Sequence, residues 1–182
     1  MASRLLATLR RLRVVLVISH AIYRVRQVWI SARPALRASE VLIVRERLND
    51  AERALFVAMD PRDRRHSMDV LQLLRQRGTP SATLETAALL HDIGKGQMHL
   101  HERVLFVLIG VVSSRLRHRL EREGQRGLRG AFWRLRHHPE IGAVLLNDAS
   151  TERVCWLVLH HTDRRPPDDA ELLELIAADS VR

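Results

Sequence analysis

The stretch that decides the fold is Leu89-Leu90-His91-Asp92-Ile93-Gly94-Lys95. It ends an apolar run that passes through Ala87 and Ala88 and is too continuous to lie on a surface. Burying a histidine and an aspartate side by side in such a run is costly unless a partner satisfies both. A neutral imidazole and a carboxylate are common donors to a divalent cation, so a metal ion is the partner the pair suggests. Adjacent His and Asp also occur in many proteins without one. The weight comes from their company: His66 upstream, then His137-His138-Pro139, His160-His161 and Asp179 downstream.

Working outward, helix signals surround this stretch. Ser81 caps the helix that carries it, and Gly94 lets the chain turn after it. Asp60-Pro61 supplies an N-cap and a first-turn proline for a helix that places Met68, Leu71 and Leu74 three apart, has His66 near its start and stops at Gly78. Asn49-Asp50-Ala51-Glu52 has the form of a capping box, and a further helix is expected over residues 35–48. Downstream, the apolar run Val104 to Val112 predicts a buried helix with a basic exit at Arg115, Arg117 and Arg119. Gly124, Gly127 and Gly130 read as a flexible loop, and Pro139 as the start of a short helix with His138 near its cap. Residues 152–161 predict a helix with Val154, Leu157 and Val158 inward, and Asp168 or Asp169 caps a last helix that reaches Asp179. Neither a strand pattern nor an internal repeat is convincing, so the expectation is an all-α bundle of about seven to nine helices.

The bulk composition bounds the rest. The 182 residues suit one domain with a core, and 46% apolar with 4% aromatic content fits helices built on Leu, Val and Ala. Of 30 basic residues 29 are arginine, a bias that a GC-rich genome explains, and Lys95 is the only lysine. The net charge of +9 is uneven: residues 1–39 hold eight arginines and no acid, whereas residues 40–182 carry 22 basic and 21 acidic side chains. This divides the chain into a basic amphipathic helical arm, 1–39, and a nearly neutral helical domain, 40–182, which argues against nucleic-acid binding by the domain face. The longest charge-free run of the arm, Val14 to Tyr23, is ten residues, against the roughly 20 that span a bilayer. The arm either packs on its own domain or a second subunit, or lies on an anionic membrane surface. Cys155, the single cysteine, reads as a small buried hydrophobe, and a reducing cytoplasm fits it, with the inner face of the membrane as the site of any peripheral contact.

Taken together, Arg65-His66-Ser67, Leu90-His91-Asp92-Ile93-Gly94-Lys95, His138-Pro139-Glu140-Ile141-Gly142, His160-His161 and Ala178-Asp179 resemble the HD superfamily of metal-dependent phosphohydrolases, from about residue 55 to the C-terminus. The His-Asp-Ile-Gly-Lys and His-Pro-Glu-Ile-Gly pieces are similar to the HD-GYP branch. Thr162-Asp163-Arg164-Arg165 follows His161, with no Gly-Tyr-Pro, so that branch's cyclic-di-GMP chemistry does not carry over. The resemblance implies an HD-like bundle with His66, His91, Asp92, His138, His160, His161 and Asp179 as metal ligands, and Asp92 and Lys95 as catalytic residues, Lys95 also meeting substrate. His137 reads as a neighbour of the ligand, and His99, His101 and His118 as surface histidines.

One arrangement is dinuclear, with Asp92 bridging, His66, His91 and Asp179 on one ion, and His138, His160 and His161 on the other. The alternative is a single ion, with the remaining histidines contacting substrate phosphate. Asp179 lies three residues from the C-terminus, where helices fray, so Asp168 or Asp169 is a rival for its place. The dinuclear branch has an acidic ligand one turn before its first histidine; Arg62 stands there, which argues against a third metal. The mixed shell favours one or two ions of Mn, Fe, Co or Ni, with Mg a lesser candidate. The implied activity is hydrolysis of a phosphomonoester, phosphodiester or nucleotide by a metal-activated hydroxide. The alternative is a non-catalytic sensor or scaffold that binds a nucleotide or a protein partner.

Overall fold

The computed structural model describes residues 35–124 and 126–181. The expectations for the basic arm therefore lie outside the described residues, except for its last five. Nine α-helices and one 3-10 turn make up the described chain: α1 (Ala38–Arg47), α2 (Asp50–Ala58), α3 (Pro61–Arg77), α4 (Ala82–Leu90), the 3-10 turn (Ile93–Lys95), α5 (Leu100–Val112), α6 (Ser114–Leu120), α7 (Leu128–Leu146), α8 (Glu152–His160) and α9 (Ala170–Asp179). The fold is all-α, as expected, with no strand among the described residues.

The caps form where the sequence places them. Asn49 accepts from the Glu52 amide while Glu52 accepts from the Asn49 amide, closing the reciprocal box. Asp60, Ser81 and Asp169 each accept an amide of the first turn of α3, α4 and α9. Of the two candidate caps for the last helix, Asp169 is the one used.

α4 is the axis of the bundle. It touches α1, α2, α3, α8 and α9, and Leu84 and Ala87 through Leu90 are buried on every side. That encirclement is why its sequence shows no polar face. Leu74, Leu157, Leu172 and Leu175 from the surrounding helices complete the core. The 3-10 turn that follows α4 is pressed against α7.

Two expectations about residues 100–146 are corrected, and a third holds. The helix at Val104 to Val112 exists but is not buried: only Glu102 of α5 is, and Leu108, Val111 and Val112 are exposed. A continuous apolar run fixes no face, and among the described residues α5 has only α6 and α7 as substantial neighbours, where α4 has five. Gly130 is not in a loop but buried inside α7, which begins at Leu128 after Gly127 turns the chain with φ 72°. Pro139 opens a new helical segment, as expected: α7 consists of two segments that meet at a kink at His137 (φ −104°, ψ 18°), and His138 and Pro139 begin the second. A proline amide cannot donate to the carbonyl four residues back, so the break just before it is expected.

Candidate metal centre

Each of three histidines sits where a helix stops or breaks. His91 follows the last residue of α4, His161 follows the last of α8, and His138 follows the break in α7. The final turn of a helix leaves carbonyls with no intrahelical donor. Each ring takes up such a carbonyl: His91 Nδ1 lies 2.9 Å from the Ala88 oxygen, His138 Nδ1 3.0 Å from that of Leu135, and His161 Nδ1 2.6 Å from that of Val158. The Leu135 carbonyl is the one Pro139 deprives of its donor, so the proline and the histidine orientation have one cause. With Nδ1–H donating, the lone pair of the neutral ring is on Nε2.

These Nε2 atoms converge on two carboxylates. His91 Nε2 is 3.5 Å from Asp92 Oδ2 and 3.5 Å from Asp179 Oδ1, and it is buried with no hydrogen-bond partner. His66, from α3, brings Nε2 to 2.7 Å from Asp179 Oδ1 and 3.9 Å from Asp92 Oδ2. His138 Nε2 is 3.4 Å from Asp92 Oδ1 and 3.1 Å from His161 Nε2. His66, His91 and Asp179 offer ligand atoms within 4.8 Å of one another, and so do His91, Asp92 and His161. The Asp92 oxygens face two sides, Oδ2 towards His66 and His91 and Oδ1 towards His138.

The electrostatics have the same sense. Burial disfavours the charged forms of His138 and His161 and, with the positive charges of Lys95 and His91 nearby, lowers them to about 3 and about 4. Both rings are neutral, and their Nε2 lone pairs face each other at 3.1 Å with no proton between. Burial also opposes a charge on His91, but the adjacent Asp92 and Asp179 outweigh it and raise the ring to about 9. Desolvation works against ionised Asp92 and Asp179 too, yet Lys95 and His91 beside Asp92, and the rings of His66 and His91 against Asp179, hold both well below the usual carboxylate range. Two carboxylates and the facing imidazole nitrogens of His138 and His161 in a buried site form a donor set that a divalent cation fits, in place of the charge that Lys95 and a protonated His91 supply.

The predicted residues are not all brought together. His160 is apart from the cluster: its Nδ1 is 2.7 Å from Asp163 and its ring lies against Trp156, 4.8 Å between centroids. Being successive residues, His160 and His161 leave α8 in different directions, and only His161 faces α4. His137 stacks on Trp133, which leaves His138 as the inward member of that pair. Asp179, at the last position of α9, is in the cluster, while Asp169 is occupied by its cap and by Arg153.

Lys95 does not reach outward: its Nζ is 2.6 Å from Asp92 Oδ2, where it supplies part of the positive charge the carboxylate needs. His66, Lys95 and Asp179 are the partly exposed members, so the site opens along their edge. Sequence reasoning missed Asp63, the buried acid one turn before His66. Arg103 of α5 holds both its oxygens, at 2.8 and 2.5 Å, which removes it as a free ligand. The signal that was available is the i,i+3 spacing of Asp63 and His66 on one helix face.

The family model for the HD domain matches residues 64–182, from the first turn of α3 to the end of the chain. The chain belongs to the HD domain family. Comparison with curated proteins and with solved structures gives no match. HD domains are mostly metal-dependent hydrolases that bind divalent ions, and this one has His and Asp groups arranged to hold one. Among the described residues no helix is long and apolar enough to cross a membrane.

Proposed function

We propose that this HD domain hydrolyses a phosphate ester, a phosphomonoester, phosphodiester or nucleotide, with two divalent ions in the cluster. His66, His91 and Asp179 would hold the first together with Asp92 Oδ2; His138, His161 and Asp92 Oδ1 would hold the second. The observation that carries this reading is the set of three imidazoles whose Nδ1 atoms are tied to helix-end carbonyls and whose Nε2 atoms converge on two carboxylates. Such tying is the usual way a protein fixes the tautomer and aim of a metal-binding histidine. When bound, the ions supply an acidified water near neutral pH and a positive field for the charge that develops on a phosphoryl oxygen.

The chain's own residues do the rest. Asp92 spans both halves of the cluster and orients whatever enters between them. Lys95, at the open edge and 2.6 Å from Asp92, is the ammonium placed to meet a non-bridging phosphate oxygen. His66 and Asp179 form the rest of the rim through which a substrate phosphate enters.

The test is elemental analysis of the protein as purified, followed by assay with Mn²⁺ against phosphomonoesters, nucleotides and cyclic nucleotides. Bound metal with turnover supports the reading. Bound metal without turnover on any of them would leave the sensor alternative standing, and no bound metal after incubation with Mn, Fe, Co or Ni would remove the site itself.

A further inference from the structure

α5 and α6 form a hairpin whose outer face is apolar and, among the described residues, uncovered. Leu108, Val111, Val112 and Leu116 are 42, 40, 81 and 46% exposed. This is not loose packing. Phe106 meets Phe132 of α7 edge-on, 5.5 Å between centroids, and Arg117 of α6 lies over the Phe106 ring at 4.5 Å. Gly110 makes room for that arginine, since a Cβ there would overlap its guanidinium. The hairpin is therefore fixed by its inner face, and Leu108, Val111 and Val112, at i, i+3 and i+4, are held outward on one stripe.

The same segment is where the domain's positive charge lies. Residues 103–136 carry nine arginines and two glutamates, while the rest of 40–182 carries 13 basic and 19 acidic residues. The near neutrality of the domain is thus an average over a polarised molecule. Arg115, Arg119, Arg122, Arg126 and Arg129 are exposed, and Glu121, one of the two acids, is taken by Arg136 at 2.7 Å.

An occupant of this face must be apolar where Val112 and Leu116 project and anionic where the arginines do. The arm of residues 1–39, with eight arginines and no acid, opposes it in charge. A second copy presenting the same face would set arginine against arginine. A nucleic acid would match the charge but leave the aliphatic tips wet, and the exposed residues of the stripe include no aromatic ring on which bases stack. Arginine beside exposed aliphatic residues fits the boundary between anionic headgroups and acyl chains.

We propose that the α5–α6 hairpin is a docking surface for an anionic lipid bilayer, with Val111, Val112 and Leu116 entering the acyl boundary and Arg115 and Arg119 meeting lipid phosphates. The contact is peripheral and independent of the metal centre's chemistry.

The experiment uses the full chain and vesicles of phosphatidylcholine with or without phosphatidylserine. A polarity-sensitive fluorophore attached through V112C in a C155S background shifts to the blue with the anionic vesicles and not with neutral ones. In co-sedimentation, R115E/R119E lowers partitioning by at least roughly thirty-fold, the loss expected from removing two surface arginines before the repulsion of the added glutamates, and V112D/L116D also lowers it. Because all four side chains are exposed, both variants keep the wild-type helix content and unfolding midpoint; should either fail to fold, the fluorophore shift decides alone. Partitioning unchanged in both variants with no blue shift would assign vesicle binding to another part of the chain and overturn the proposal. So would the absence of vesicle binding, a dimer in sedimentation velocity that V112D/L116D dissociates, or oligonucleotide binding lost only in R115E/R119E.

Discussion

The atom on which the centre turns is Asp92 Oδ2, because Lys95 holds it at 2.6 Å while His91 and His66 face it from 3.5 and 3.9 Å. An ammonium on a carboxylate that a metal would use is a stand-in for that metal's charge. Two roles for Lys95 follow, and they separate on substitution. As a group that meets substrate phosphate, Lys95→Met leaves the metal content of the purified protein unchanged and lowers kcat by roughly 10² to 10³, the usual cost of removing one charge-stabilising donor. As a purely structural counter-ion its loss would lower the unfolding midpoint of the metal-free protein, with turnover per bound metal unaltered. Metal analysis and kinetics on the same sample distinguish the two. The sequence pointed to this lysine through its place in the His-Asp-Ile-Gly-Lys stretch, but residue order carries no information on which way a flexible four-carbon side chain turns.

Among the elements, the 3-10 turn is the tightest fit. The sequence reads Gly94 as a residue that frees the chain to turn, yet its φ is not positive; its need is closeness to α7, since a Cβ there would overlap the His138 carbonyl and crowd the Gly142 amide. Gly94→Ala therefore forces the turn away from α7 and shifts His91 and Asp92 relative to His138. The expected result is a loss of about 1 to 3 kcal/mol of stability together with weaker metal uptake, read by denaturant unfolding and by metal titration.

α1 and α3 are joined by a different device. Buried Glu40 accepts from Arg65 at 2.6 Å, from Gln72 at 2.7 Å and from the Arg37 amide at 2.7 Å. Burial alone would raise its pKa, but these partners prevail and lower it to about 2 from an ordinary 4.5. A carboxyl depressed on folding contributes stability that is complete above about 4.5 and is lost as pH falls from there through 2. Glu40→Gln should cost about 2 to 3 kcal/mol at neutral pH and flatten the pH dependence of the unfolding free energy between 4.5 and 2. A variant whose acid limb matches the wild type would show that another carboxylate governs it.

At the scale of the whole molecule, the candidate ligands come from α3, the end of α4, the break in α7, the end of α8 and the end of α9, and only the packed bundle brings them together. The caps, the central α4 and the order of the motif were legible because each rests on local pattern: an Asx or Ser before a helix, an unbroken apolar run, a His-Asp pair. His160 and the exposed face of α5 were not, because the side of a helix that points inward depends on how many neighbours surround it. The order of Asp179 was likewise hidden, since its anchoring is His66, 113 residues earlier.

A site assembled from such distant parts couples metal binding to folding: any ion that binds the folded bundle and not the open chain stabilises it by mass action. At a hundred times its Kd one ion adds about 2.7 kcal/mol, which for a chain of this size is roughly 5 to 11 °C in Tm. Chelation of the purified protein should lower Tm by that amount for each ion removed, and Mn²⁺ should restore it. The double variant His138→Ala/His161→Ala removes one half of the cluster and the opposed Nε2 lone pairs with it. Two ions per chain in the wild type and one in the variant, with about half of the Tm gain retained, is the outcome for a dinuclear centre. One ion in both assigns His138 and His161 to the substrate phosphate instead, and in that case the variant binds inorganic phosphate more weakly at unchanged metal content.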